Sequence, residues 1–171
     1  MIDRLKKRNI FYQNYKIINF INTIDLEKKL ILKWRNNKNV RKWMVNKNLI
    51  NYNEHKNYII SLKKNNQKLC FLIKSKNSSL GIIEFDKIDL YKKTAYFGLN
   101  SNITNKEIGI GKILMEISIY LAKEKIGLKK LNLYVFTTNK KAINLYNKFK
   151  FEVIKEKKHI SKHFYYMEKI L

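Results

Sequence analysis

Five glycines occur in 171 residues, and two of them stand one residue apart in Lys106-Glu107-Ile108-Gly109-Ile110-Gly111-Lys112, directly ahead of the longest helical pattern in the chain. Glycine lets another molecule come close to the backbone. The first amides of a helix have no intrahelical acceptor, and the aligned peptide dipoles favour an anion beside them. These properties make residues 108–112 a candidate cradle for a pyrophosphate held by main-chain N–H groups, although a glycine pair before a helix also serves as a plain tight turn. Two other phosphate loops are excluded. A dinucleotide fingerprint needs a third glycine at fixed spacing after a strand of a parallel sheet, and the loop of nucleotide hydrolases needs Gly-Lys-Ser/Thr after four intervening residues. Neither pattern is present.

Around this loop the hydrophobic period changes twice. After a basic lead of about ten residues, residues 11–20 read as one strand, rich in aromatic and β-branched side chains. Asp25 is placed to cap a helix carrying Leu26, Leu30 and Trp34 at fourfold spacing. A second helix is expected from about Asn53, with His55, Tyr58, Ile59 and Leu62 along one face. Residues 69–73, 80–88 and 94–99 are apolar runs of strand length, the first two joined by the turn-like Lys76-Asn77-Ser78-Ser79. Residues 110–126 form a helix with Ile113, Ile117 and Leu121 on one stripe and Gly127 as its terminator. A strand at 131–136, a helix at 140–149 and strands at 151–154 and 164–170 follow. This order predicts an α/β domain with a mixed sheet and helices on its faces. No proline and no low-complexity linker interrupts the chain, so residues 1–171 are expected to form one domain, with residues 1–10 as its basic lead.

The formal net charge of +24 ordinarily signals a polyanion, an acidic membrane or a phosphate-bearing ligand. Here the basic residues are dispersed from Lys6 to Lys169 rather than gathered into one stripe, and Lys, Asn and Ile are abundant throughout, as an AT-rich coding sequence would give. A dedicated nucleic-acid site is therefore not expected. One cysteine, Cys70, excludes an intramolecular disulfide framework and reads as a small buried strand residue in a reducing compartment. The polar N-terminus does not resemble a signal peptide, and no apolar run reaches membrane-spanning length. A cytoplasmic, membrane-free protein is the expectation. His159 and His163 have no carboxylate or thiol at ligand spacing, so no metal is expected.

The second informative segment is Asn139-Lys140-Lys141-Ala142-Ile143-Asn144-Leu145-Tyr146-Asn147-Lys148-Phe149-Lys150-Phe151. Asn-x-x-Ala-x-x-Leu-Tyr-x-Lys followed by an aromatic residue resembles the second conserved segment of the GNAT N-acetyltransferases, and the glycine loop resembles their first. The resemblance covers nearly all of the chain after the basic lead. It implies a mostly antiparallel seven-stranded sheet, splayed between its fourth and fifth strands and flanked by about four helices, with the pantetheine arm of acetyl-CoA in the gap. By that resemblance Phe97, Gly98 and Leu99 lie on the fourth strand and residues 131–136 on the fifth. Amides of Ile108, Gly109, Ile110, Gly111 and Lys112 would hold the cofactor pyrophosphate, and Asn139 and Tyr146 would contact the cofactor arm. Two positions depart from the pattern: Lys106 stands where Gln or Arg commonly opens the loop, and Lys150 stands where a glycine commonly precedes the final aromatic residue.

A narrower likeness covers the front half. Lys33-Trp34-Arg35-Asn36, Trp43-Met44, and His55 with Tyr58 resemble the PseH-type amino-sugar acetyltransferases of pseudaminic acid biosynthesis, which act on a UDP-linked 4-amino-4,6-dideoxy sugar. That likeness implies a UDP-amino-sugar pocket lined by Arg35, Met44, His55, Tyr58 and Tyr96. Acetyl transfer to an amine also needs a base and an acid. Tyr146 is the candidate acid for the departing thiolate. Glu84 is the candidate base, since Tyr134 occupies a position where some relatives carry a carboxylate. A strand amide near Leu99 is the candidate oxyanion donor. Two other readings stay open: a protein N-terminal acetyltransferase acting on ribosomal or other proteins, and a basic RNA-binding module without turnover. A homodimer is also left open.

Overall fold

Residues 11–20 do not form one strand. In the computed structural model, which describes residues 1–76, 78–105, 108–159 and 162–171, they make a hairpin in which β1 (Ile10–Tyr12) turns back on β2 (Tyr15–Asn19). Gln13 in the turn adopts a φ of +51°. A two-residue hairpin turn of this kind usually announces itself with Asn-Gly or Asp-Gly, and Gln13-Asn14 lacks that signature. The sheet therefore has eight strands rather than seven, in the order β1-β2-β3-β4-β5-β6-β8-β7.

The helices also outnumber the expected four, for there are six α-helices among the described residues. The basic lead is itself a helix, α1 (Ile2–Lys7), which buries Ile2 and Leu5 in the main core. Lys6, 4% exposed, is satisfied by donating to Lys63 O and Asn66 Oδ1, each at 3.0 Å. In α2 (Asp25–Asn36) the buried face is Glu27, Ile31 and Trp34, while Leu26 of the expected stripe is 74% exposed. Glu27 explains the rotation: one carboxylate oxygen accepts the Ile24 N–H at 3.1 Å and the other pairs with Lys74 Nζ at 2.7 Å. A single turn, α3 (Lys38–Arg41), follows, and then α4 (Tyr52–Ser61). Its start is set by a reciprocal capping pair: Asn51 Oδ1 accepts Glu54 N–H and Glu54 Oε2 accepts Asn51 N–H.

Strands β3 (Leu69–Lys74), β4 (Ser79–Asp89) and β5 (Thr94–Ser101) form the expected antiparallel meander. Helix α5 (Ile110–Tyr120) runs on through wider π-type turns at Leu121–Ile126 and stops at Gly127. Then come β6 (Lys130–Phe136), α6 (Lys140–Lys148), β7 (Glu152–His159) and β8 (Lys162–Ile170). One face of the sheet, with Phe71, Ile83, Phe85, Ala95, Leu131 and Met167, packs on Leu114, Ile117 and Leu121 of α5 in the main core. On the other face a smaller cluster of Cys70, Leu72, Ile31, Trp34, Ile59 and Leu62 lies under α2 and α4. These two helices cover the β2–β3 side and reach Ile82 of β4, and the same face of the sheet beyond it, from Glu84 to β5, β6 and β8, stays partly solvent-accessible.

The parallel pair β5–β6 is where the sheet opens. Its register holds for Thr94↔Lys130, Ala95↔Leu131 and Tyr96↔Asn132 and then ends. Beyond that point β5 stays paired with β4 as far as Ser101, and β6 stays paired with β8 as far as Phe136. This is the splay expected between the fourth and fifth strands, here β5 and β6 because the hairpin adds a strand. Main-chain groups of β5 from Phe97 onward that point toward β6 have no strand partner and face the gap. Among the described residues no helix is long and apolar enough to cross a membrane, and no group of three or more His, Cys, Asp or Glu side chains converges as a metal site would require.

Candidate active site

The glycine loop enters α5 through Gly109, whose φ of +90° and ψ of 0° lie in the left-handed region. Any other residue would be strained there, and the absent side chain leaves the first amides of the helix uncapped. Ile108 is fully exposed and Ile110 is buried, so the loop is anchored by one isoleucine and presents its backbone beside the other. Gly111 allows α5 to approach α6: a Cβ there would meet Leu145 Cδ2 at 3.3 Å. Lys112 reaches Glu116 at 3.8 Å along the exposed side of α5. Lys106 lies outside the described residues.

Helix α6 begins at Asn139, whose Oδ1 accepts the Ala142 N–H at 3.3 Å. Its carbonyl oxygen is thus spent on the cap and its amide N–H groups are left for a partner. The helix ends in a Schellman motif: Phe151 N–H bonds to Tyr146 O at 3.0 Å and Lys150 N–H to Asn147 O at 2.9 Å. Lys150 takes the left-handed position with φ +58°, which is the physical reason a glycine is common there. The motif turns Phe151 inward, so that Phe97, Tyr146 and Phe151 form a ring cluster with centroids 5.7–6.3 Å apart. Tyr146 is 8% exposed, burial pushes its phenol up to about 12, and its hydroxyl makes no hydrogen bond among the described residues.

A cavity of about 260 Å³ opens on the other side of β5, lined by Glu84, Asp86, Lys87, Tyr96, Phe97, Gly98 and Tyr134. Alternation on β4 points Glu84 and Asp86 to one face, and Gly98 sits directly opposite Glu84. Nothing lies within 4 Å of where a Cβ on Gly98 would stand, so any side chain there would project into free space. Glu84 Oε1 is 2.9 Å from Lys68 Nζ, which also stands 3.6 Å from Asp86 and above the Tyr58 ring. Glu84 Oε2 lies 3.9 Å from the Cys70 thiol, and the thiol is 3.3 Å from the Tyr58 hydroxyl. Burial pushes Cys70 and Tyr58 upward, with Glu84 adding to both, so neither ionises near neutrality. Burial disfavours the Lys68 ammonium, but Glu84, Cys70 and Asp86 together hold it above its usual range.

The residues expected to bind a nucleotide sugar are divided by this geometry. Tyr96 lines the cavity, and Tyr58 reaches it through Cys70 and Glu84. Arg35 is committed elsewhere: its guanidinium donates to Asn48 O at 2.6 Å and Asn46 O at 3.0 Å. Together with Arg41, which donates to Lys47 O and Asn36 O, it braces the segment after α3. Met44 is half-buried on that segment, and Trp43 beside it packs near Phe136, with ring centroids 6.2 Å apart. His55 is buried between α4 and α2 with Nε2 unpartnered, and burial holds its pKa below the usual value. Residues not singled out in the sequence also line the cavity. Asp86 could have been found by its two-residue spacing from Glu84, but Lys87 could not, because it enters through a bulge where the β4–β5 register shifts between Asp86 and Asp89.

The Acetyltransferase (GNAT) family profile matches residues 37–151. The chain is 35% identical over 153 residues to Acetyltransferase PseH of Campylobacter jejuni subsp. jejuni serotype O:2, covering 89% of this chain and 91% of that protein. Its fold superposes on the crystal structure of Campylobacter jejuni N-acetyltransferase PseH in complex with acetyl coenzyme A with a TM-score of 0.75, at 30% identity over 91% of this chain and 98% of that one. A spermidine N-acetyltransferase from Vibrio cholerae, solved with CoA and spermine, shares the fold at a TM-score of 0.83, covering 93% of this chain and 96% of that one, with 16% identity. The chain belongs to the Acetyltransferase (GNAT) family.

Proposed function

We propose that this chain is an acetyl-CoA-dependent N-acetyltransferase that acetylates the 4-amino group of a UDP-linked 4-amino-4,6-dideoxy-N-acetyl sugar in pseudaminic acid biosynthesis, the pathway that supplies flagellin glycosylation. The observation that carries this reading is the gap between β5 and β6, with an uncapped helix terminus at Gly109 on one side and a carboxylate-lined cavity on the other. The family membership, the likeness to PseH and the acetyl coenzyme A bound by that relative support the same assignment. The pyrophosphate of acetyl-CoA would sit on the amides of residues 108–112, its arm would lie along Phe97–Leu99, and the Asn139 amide would donate to it.

The acceptor approaches from the cavity side. Glu84 Oε2, the oxygen not taken by Lys68, removes a proton from the sugar ammonium through a water, and the neutral amine attacks the thioester carbonyl. A β5 amide facing the gap stabilises the oxyanion. Collapse breaks the C–S bond, and Tyr146 on the opposite side of β5 protonates the thiolate. Its phenolate then recovers, by way of water, the proton that the N-protonated amide product sheds. The test is incubation with acetyl-CoA and a panel of UDP-amino-sugars and peptides, followed by thiol release. Turnover is expected with a UDP-4-amino-sugar and not with peptides; turnover confined to peptides would overturn the acceptor assignment and leave the transferase intact.

A further inference from the structure

Two lysines on the open side of the sheet, Lys155 and Lys157, make no direct ion pair among the described residues and gather around one tyrosine cluster. Tyr96 and Tyr134 stack with centroids 5.5 Å apart, and Tyr166 stands 5.3 Å from Tyr134. Lys155 lies over the Tyr166 ring at 5.4 Å, Lys157 lies over Tyr134 at 5.4 Å, and Lys157 donates to the Tyr134 hydroxyl at 3.2 Å. Nearby acids are already matched: Glu84 and Asp86 share Lys68, and Glu168 pairs with Lys130 at 3.0 Å. Neither Lys155 nor Lys157 forms a direct ion pair among the described residues, although Lys155 is near enough to Glu168 to help hold its carboxyl below the usual range, behind the Tyr166 and Lys130 contacts.

Their placement depends on a defect in the ladder. The β7–β8 register shifts between Val153↔Met167 and Lys155↔Tyr166. An unbroken ladder would set Ile154 and Glu156 on the face of Tyr166 and Phe164. The bulge sets Lys155 and Lys157 there instead and sends Glu156 to the opposite face, where its carboxylate is 2.8 Å from His163 Nδ1. A bulge beside a site commonly re-aims side chains in this way, and here it replaces an apolar and an acidic side chain by two cations.

Arg35, expected to line the UDP-amino-sugar pocket, has two of its five N–H donors engaged by the carbonyls of Asn48 and Asn46. We infer that the diphosphate of the acceptor nucleotide is bound by Lys155 and Lys157 on β7, beside Tyr134 and Tyr166, and that Arg35 only braces the loop. This rests on the nucleotide-sugar reading of the adjoining cavity, which shares Tyr134 with this cluster. Two ammoniums at i and i+2 of a strand point the same way and suit a diphosphate better than a single-charge ligand.

The test uses UDP as the probe, titrated calorimetrically into the full chain saturated with CoA. Wild type is expected to bind UDP. Lys155→Met with Lys157→Met should weaken UDP about 30-fold, in line with loss of two charge-assisted hydrogen bonds, while CoA affinity stays unchanged. Lys155→Arg with Lys157→Arg should stay within about threefold of wild type. Removing the same charge elsewhere, with Lys7→Met and Lys158→Met, should have little effect. Equal UDP binding by wild type and the Met pair would overturn the inference and leave the nucleotide-sugar reading standing. Failure of wild type to bind UDP while it binds CoA would sink that reading itself. A single-stranded oligonucleotide bound through these lysines without UDP binding would reassign the surface to nucleic acid.

Discussion

At the scale of single residues, the proposed chemistry depends on Tyr146 keeping its proton. The phenol is raised to about 12 by burial, against about 10 in the unfolded chain. Its neutral form therefore stabilises the folded state fully below pH 10, and that contribution is lost as pH rises toward 12. The phenol stays a donor across the whole working range. Tyr146→Phe should lower kcat about 100-fold with little change in acetyl-CoA affinity, and neither enzyme should show an inflection near pH 10 that belongs to this group. A wild-type alkaline inflection near pH 10 that vanishes in Tyr146→Phe would contradict the burial argument. The placement of Tyr146 beside Phe97 on β5 was legible because its position in the Asn139–Phe151 pattern is specific. The commitment of Arg35 was not, since a guanidinium that braces a loop and one that binds phosphate look alike until the carbonyls of Asn46 and Asn48 are placed.

Between residue and fold lie the elements, whose types followed from period and whose phases did not. The meander, the long α5 and the α6 segment were readable from apolar spacing. The hairpin at Gln13 and the bulges at Lys87 and Lys155 were not, because each turns on a backbone irregularity that no glycine announces. One glycine does mark a fixed contact. At Gly81, with φ +159°, an added Cβ would stand 2.4 Å from Asn100 O and 2.8 Å from Leu114 Cδ1. A backbone oxygen cannot rotate away, so β4 and β5 would separate or α5 would lift off the sheet. Gly81→Ala should cost about 2–3 kcal/mol of stability, the upper range for overpacking. Because α5 carries the Gly109 loop, it should also weaken acetyl-CoA binding. Denaturant midpoints and CoA titration would check both, and wild-type stability in Gly81→Ala would mean that the contact relaxes without moving either element.

For the molecule as a whole, the +24 charge is the feature that the sequence left most ambiguous, and the fold narrows it. Both substrates of the proposed reaction carry phosphates, one expected at the α5 terminus and one beside β7, so a diffuse positive field favours both encounters without a dedicated stripe. A field of this kind acts over the Debye length, about 10 Å at 0.1 M salt and shorter above it, whereas the chemistry inside the gap is local. Raising ionic strength from about 0.05 M to about 0.5 M should therefore raise KM for acetyl-CoA and for the UDP-sugar severalfold. The turnover number at saturation should stay within about twofold, because Tyr146 is buried against Phe97 and Phe151, where added salt screens little. Initial rates across that range decide the matter. A falling kcat with constant KM would place the charge effect in the transition state and not in the approach of the two anions.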